Sequence, residues 1–206
     1  QGVAGLHDSS FRVEGDRIVA GTYGAAAVAA GGEVLLRGIC PSDLKVPLEE
    51  FQKAGAAVEA DEKNRQIRIR MGKRPLPLLI KTEPYPGFPT DLQSPFMAFL
   101  ATAQGTSYIE EQVFEGRFAT AKILEQMGAV IRTEDQRAVI EGHYPLKGAA
   151  VNACDLRGGA ALMVAALAAE GDTFIGECHH IERGYEDICR DMAALGAHIR
   201  WGGKDS

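Results

Sequence analysis

The sequence predicts an α+β fold in which one helix-and-strand unit is written three times, and three observations carry that reading. First, the segments GDRIVAGTYGAAAVAAGGEV from Gly15, TDLQSPFMAFLATAQGTSYI from Thr90 and CDLRGGAALMVAALAAEGDTFI from Cys154 share their landmarks in register. Each holds an acidic residue (Asp16, Asp91, Asp155) and a glycine closing an alanine-rich stretch (Gly32, Gly105, Gly171), and a Gly-Ala step follows at Gly55, Gly128 and Gly196. Second, insertions and deletions fall only in the connections between landmarks. Third, the alanine-rich stretches are apolar nearly all round, which marks helices enclosed by other structure. A repeat of roughly 70 residues containing both element types is one folding unit stacked three times. The units are expected at about 11–72, 78–142 and 147–202 of a single lobe spanning 1–206. Function is then to be sought where the copies differ.

Each copy justifies its elements in the same order. GAAAVAA, SPFMAFLATA and GGAALMVAALAA are the enclosed helices, stopped by Gly32, Gly105 and Gly171 in the manner of a helix-ending glycine. EVLLRGI, TSYIEEQV and DTFIGEC follow as strands on their β-branched and aromatic positions. PLEEFQKAG, ATAKILEQMG and YEDICRDMAALG are amphipathic helices with apolar residues at helical spacing and charges opposite. In the first two copies the Gly-Ala step leads into hairpins, AAVEADEKNRQIRIRM and AVIRTEDQRAVIEG, with polar turns between alternating strands. The third copy stops at AHIRWGGKDS, before a return strand. Pro75, Pro77, Pro84, Pro86 and Pro89 make a stiff connection that runs directly into Thr90-Asp91.

Composition narrows the function classes. The chain has 206 residues, 46% of them hydrophobic and 24% charged, as in ordinary globular proteins. A net charge of -6 without a basic tract argues against nucleic acid as a partner, so any anionic ligand must be held by a few local arginines. No apolar run reaches the roughly 18–20 residues of a membrane span, and no signal peptide is recognisable. Cys40, Cys154, Cys178 and Cys189 lack metal-ligand spacing and read as reduced thiols of a cytoplasmic protein. The adjacent Cys178, His179 and His180 read as ordinary strand and loop residues rather than a metal cluster. No metal or cofactor is expected. Gln1-Gly2-Val3 opens the chain without methionine and close to patterned sequence, which suggests a fragment of something longer.

Two constellations carry candidate chemistry. Asp16, Asp91 and Asp155 share a position ahead of a helix, where a carboxylate accepts backbone N–H bonds and meets the positive end of the dipole. Capping accounts for Asp16; Asp91, behind the rigid Pro86-Gly87-Phe88-Pro89 run, invites a further role. Arg117, Arg157 and Arg183 form the second group. Arg157 opens an apolar helix, where its charge opposes the dipole and gains nothing locally, so it wants an anion. Copy one carries Ser42, Asp43 and Leu44 in the region of Arg117 and Arg183, so the scaffold does not require those arginines.

The motifs FPTDLQ, VFEGRF, DLRGGAAL and HIERGYE, with DRIVAGT near the start, closely resemble the C-terminal half of the UDP-N-acetylglucosamine 1-carboxyvinyltransferase family of enolpyruvyl transferases. The resemblance runs from about Phe11 to Trp201. It implies one lobe of an inside-out α/β barrel with helices inward and sheets outward. It also implies transfer of the enolpyruvyl group of phosphoenolpyruvate to the 3′-hydroxyl of UDP-N-acetylglucosamine, through a tetrahedral ketal and with release of phosphate, at the start of peptidoglycan synthesis.

On the matching positions, the resemblance makes Asp91 the general base, which would work better if partial burial raised its pKa. It makes Arg117, Arg157 and Arg183 the anion-binding group, Asp155 a partner of the reacting centre, and Val113 and Phe114 the lining of the nucleotide-sugar pocket. Gly116 departs from the family's usual asparagine. The family's catalytic lysine, and the mobile loop bearing a cysteine or aspartate acid and another arginine, belong to the N-terminal half; none of the four cysteines here takes that role. The family's extreme N-terminal segment also joins this lobe, so a sheet edge is expected to stand unpaired. The expected partners are therefore the two substrates and the N-terminal half, without which the lobe is expected to be inactive. Two alternatives remain: a module that holds the UDP-sugar without catalysis, and the sister 5-enolpyruvylshikimate-3-phosphate synthase.

Overall fold

The computed structural model describes residues 2, 3 and 5–202. Three helices lie in contact at its centre: α1 (Arg17–Ala30), α3 (Gln93–Leu100) and α5 (Leu156–Leu167), each packing on the other two. These are the alanine-rich stretches; every residue of α3 and most of those in α1 and α5 are buried. Around them stand the sheets, so the observed architecture is mixed helix and sheet with helices inside.

Between α1 and α3 the chain forms β1 (Glu33–Arg37), the amphipathic α2 (Lys45–Lys53), and β2 (Ala57–Asp61), β3 (Gln66–Arg70) and β4 (Leu79–Lys81). Beyond α3 the order recurs as β5 (Thr106–Glu110), α4 (Ala119–Gln126), β6 (Val130–Glu134) and β7 (Arg137–Glu141). Next come β8 (Leu146–Lys147), β9 (Ala150–Asn152), α5, β10 (Ala169–Glu170), β11 (Phe174–Gly176), α6 (His179–Glu182) and α7 (Ile188–Ala194).

The first sheet has the order β1-β3-β2 and is antiparallel throughout. The second, β4-β5-β7-β6, adds a parallel strand at the edge of the same antiparallel arrangement. The third region consists of two parallel pairs, β10-β8 and β11-β9. Thus β9 serves β11 as β4 serves β5. Among the described residues β1 pairs with β3 alone, and Phe11 and Val13, which precede α1, are 85% and 83% exposed.

Aromatic packing joins the inner helices to the outer layer. Phe51 of α2 stacks on Phe96 of α3 with ring centroids 4.6 Å apart, and Phe88 meets Phe96 edge-on at 4.8 Å. Phe51 and Phe96 are both fully buried, so each contributes a few kcal/mol, on the order of 2–3 by area transfer. Close helix approach depends on small residues. A Cβ on Gly21 of α1 would lie 2.5 Å from Leu92, a fully buried neighbour of Asp91, so Gly21 lets the turn bearing Asp91 sit directly on α1.

Two local expectations are corrected. Gly31, not Gly32, takes the left-handed C-cap of α1, while α3 and α5 end at Leu100 and Leu167, well before Gly105 and Gly171. After α3 the chain tightens into turns through Ala101–Ala103, and after α5 it leaves to pair as β10. The shared position of the three aspartates also divides. Asp16 and Asp155 cap α1 and α5 through Ile18 N at 2.7 Å and Gly158 N at 2.7 Å, but Asp91 lies inside a 3-10 turn, Thr90–Leu92, and caps nothing.

Candidate active site

The stiff segment before α3 ends in the Thr90–Leu92 turn, which presents Asp91 at the edge of the helical interior. Its carboxylate meets two guanidinium groups. Arg117 Nη2 donates to Oδ1 at 2.6 Å and Arg157 Nη2 donates to Oδ2 at 3.2 Å. Arg117 comes from the loop between β5 and α4, and Arg157 from the first turn of α5. The charge that opposes the α5 dipole is therefore compensated by a carboxylate from another part of the chain.

The cluster is open on one side. The Asp91 side chain is 38% exposed, against 25% for Arg117 and 18% for Arg157, so a ligand can reach the carboxylate while the arginine stems stay packed. Two guanidiniums against one carboxylate leave positive charge facing that opening. Burial pushes the Asp91 carboxyl up, but the charges and hydrogen bonds of Arg157 and Arg117 outweigh it and hold it below the ordinary range. The expectation that partial burial raises this pKa is thus corrected: the arginines prevail as long as they hold Asp91.

Arg117 is positioned by more than Asp91. Its Nη1 donates to Thr90 Oγ1 at 3.1 Å, and its guanidinium lies 5.0 Å from the centre of the Phe114 ring. Phe114 is half exposed on the same loop, beside the half-buried Val113. Gly116 has φ 67°, and a Cβ there would meet nothing within 4 Å. Asparagine is the residue that tolerates this backbone best after glycine, so the asparagine that the resemblance leads one to expect at this position is compatible with the loop's conformation.

The remaining predicted residues gather less tightly. Asp155, exposed, stands two positions before Arg157, where it caps α5 and accepts from the Cys154 thiol at 3.6 Å. Arg183 closes α6, exposed and without an acidic partner among the described residues. Its neighbour Gly184 packs so closely that a Cβ would lie 2.6 Å from Leu156, which puts the Arg183 backbone beside the start of α5. The structure does not bring the Arg183 side chain to Asp91. Among the described residues no group of three His, Cys, Asp or Glu could hold a metal ion. Nor does any helix among them reach the length and apolarity needed to cross a membrane.

Three participants escape sequence reasoning. Thr90 links Arg117 to the buried Glu111. Tyr185, buried next to Arg157, bonds Thr22 of α1 at 3.0 Å; burial raises its phenol pKa, partly offset by Thr22 and Arg157. Of the three, only Glu111 leaves a sequence signal: it continues the inward alternation of Ser107 and Ile109.

The chain and its helix-centred lobe have counterparts among known proteins. Residues 1–192 match the family model described as EPSP synthase (3-phosphoshikimate 1-carboxyvinyltransferase). The chain belongs to this family of enolpyruvyl transferases. Within the family it is similar to UDP-N-acetylglucosamine 1-carboxyvinyltransferases. That from Desulfofundulus thermocisternus is 47% identical over 189 residues, covering 92% of this chain and 77% of the relative. That from Brucella ovis is 43% identical over 201 residues, 97% of this chain but 46% of the relative, so the chain spans less than half of the Brucella protein. Among solved structures, the enolpyruvyl transferase NikO from Streptomyces tendae superposes with a TM-score of 0.81 at 29% identity, over 91% of this chain and 44% of that one. EPSP synthase from Acinetobacter baumannii shares the fold, with a TM-score of 0.70 at 22% identity over 94% of this chain and 45% of that one.

Proposed function

We propose that this chain is one lobe of an enzyme that transfers the enolpyruvyl group of phosphoenolpyruvate to the 3′-hydroxyl of UDP-N-acetylglucosamine and releases phosphate. The clamp of Arg117 and Arg157 on Asp91 is the observation that carries this reading, because it joins a base to an anion site. The sugar-nucleotide specificity is supported by relatives named for that activity at 47% and 43% identity.

The chemistry follows from the groups present. An alcohol is too weak an acid to attack unaided, so Asp91 takes the 3′-hydroxyl proton as the oxygen bonds to C2 of phosphoenolpyruvate. The methylene carbon gains a proton from an acid in the other lobe, which gives the tetrahedral ketal. Loss of a proton from that carbon and cleavage of the C2–O bond to phosphate then restore the enol ether. Arg117, Arg157 and Arg183 bind the carboxylate and phosphate of phosphoenolpyruvate through planar, paired N–H donors and stabilise charge as it redistributes. Asp155 faces the reacting centre, and Val113 and Phe114 line the sugar-nucleotide pocket.

Clamping also gives Asp91 a conditional basicity. With both arginines engaged its carboxylate is a poor base. An incoming anion competes for the guanidiniums and loosens them from Asp91, so its proton affinity rises when substrate is present.

In this reading residues 1–206 form a single lobe of three units, the active site is completed by an N-terminal half of the same enzyme, and the lobe alone does not turn over. The enzyme acts in the cytoplasm, where its sugar-nucleotide substrate is found. The test is phosphate release from phosphoenolpyruvate by this chain combined with its separately expressed N-terminal half. Release that requires both halves and UDP-N-acetylglucosamine supports the reading. Binding of the UDP-sugar without phosphate release, from halves shown to associate, overturns it in favour of a non-catalytic module.

A further inference from the structure

Glu111 is a carboxylate in an apolar position. It follows β5 in the inward alternation of Ser107 and Ile109, and all three are essentially inaccessible, Glu111 at 1%. Among the described residues no cation pairs with it. Instead its oxygens are filled by neutral donors: Oε1 accepts from Thr82 Oγ1 at 2.8 Å, Val113 N at 3.0 Å and Phe114 N at 3.1 Å, and Oε2 accepts from Thr90 Oγ1 at 2.8 Å. A buried charge persists only when its lone pairs are satisfied in this way. The four donors come from two segments, the approach to Asp91 and the loop that carries Arg117.

The Thr90 hydroxyl has one proton and spends it on Glu111. Its lone pairs are thereby left for Arg117 Nη1, whose guanidinium reaches Asp91 with Nη2. We propose that Glu111 is a positioning residue for the Asp91 base: it fixes the Thr90 hydroxyl as an acceptor, and so sets Arg117 on Asp91 and governs when Asp91 is ionised. A neutral amide in its place could still accept from the loop N–H groups with its oxygen. Its NH2 would face Thr90 Oγ1 and donate, turning the hydroxyl proton towards Arg117. Donor would then meet donor, and Arg117 would lose a support.

This inference rests on the proposed role of Asp91 as base, but its first readout does not. The Asp91 carboxyl is titrated by 13C NMR in this chain for wild type, Glu111→Gln, Thr90→Val, Thr90→Ser and the double variant Glu111→Gln/Thr90→Val. The expected result is an upward shift of the Asp91 midpoint in Glu111→Gln and in Thr90→Val, no further shift in the double variant, and a wild-type midpoint in Thr90→Ser. A folded Glu111→Gln with an unmoved midpoint, or shifts that add in the double variant, would overturn the proposal. If Glu111→Gln does not fold, the Thr90 pair decides: an unmoved midpoint in Thr90→Val overturns it. In the assembled two-lobe enzyme the acidic limb of the kcat/KM profile should move upward in parallel in Glu111→Gln. A moved titration without turnover in any variant leaves the positioning role standing and removes the transferase reading instead.

Discussion

Arg117 and Arg157 share one carboxylate: each donates to a different oxygen of Asp91, at 2.6 Å and 3.2 Å, Arg117 from the loop before α4 and Arg157 from the first turn of α5, in different copies of the repeated unit. The site is thus assembled between repeats rather than within one. The proposed base and the guanidiniums proposed to hold an anionic substrate occupy the same few ångströms.

The first prediction concerns pH. Because the two arginines hold the Asp91 pKa below its ordinary value, their attraction stabilises the fold fully above the ordinary carboxylate range of about 4. That contribution is lost as pH falls through the lowered folded-state value. Urea denaturation of wild type and Asp91→Asn across acidic pH should show the wild-type advantage shrinking towards low pH. A constant difference contradicts the clamp.

Substrate anion should act in the opposite direction on the same group. Phosphoenolpyruvate, or inorganic phosphate at higher concentration, competes for Arg117 and Arg157, so the 13C midpoint of Asp91 should rise on titration with either. No movement under saturating ligand would mean that the arginines hold Asp91 and the anion independently.

Loop conformation gives a third prediction. Gly116 is exposed with φ 67° and open space where a Cβ would stand, so only backbone preference limits substitution. Gly116→Asn should change stability by no more than a few tenths of a kcal/mol. Gly116→Val should cost about 1–2 kcal/mol in loop or fold stability. Chemical denaturation checks both.

Packing separates two phenylalanines. Phe96 is fully buried against Phe51, Phe88 and Phe99, whereas Phe11 is 85% exposed. Phe96→Ala should cost about 3–5 kcal/mol by loss of transfer energy and creation of a cavity, and Phe11→Ser should stay within about 0.5 kcal/mol. Equal effects would contradict the assignment of the core.

Cys189 provides an alkaline counterpart. Burial, with the nearby Asp187 carboxylate, pushes its thiol up to about 11. The folded state therefore keeps a stabilising neutral thiol below the ordinary cysteine range of about 8.5, and that advantage fades as pH rises through about 11. Alkylation with iodoacetamide at pH near 8 should spare Cys189 in the folded chain and modify it in urea. Rapid labelling of the folded chain contradicts its burial.

Much of this molecule is legible in its sequence because the repeat states each element more than once. The three inner helices are readable from alanine-rich runs apolar on all sides, and the hairpins from alternation around polar turns. Strands β8 and β10 are two residues each, too short for any alternation to register. A glycine downstream does not oblige a helix to reach it, so α1, α3 and α5 end before Gly32, Gly105 and Gly171. At the site, Arg157 betrays itself by opposing a helix dipole, and the structure supplies the anion. Asp91 looks like a cap and is not one, which only the 3-10 geometry of Thr90–Leu92 reveals. Glu111 hides in the polar run Glu110-Glu111-Gln112, although strict alternation from Ser107 points it inward.

The most direct test of the central claim is the rate of phosphate release by the assembled two-lobe enzyme carrying Asp91→Asn, measured alongside binding of phosphoenolpyruvate and UDP-N-acetylglucosamine. Loss of a general base should lower turnover by roughly 100-fold or more while both substrates still bind. Turnover close to wild type, with binding intact, would show that the carboxylate between Arg117 and Arg157 is not the base.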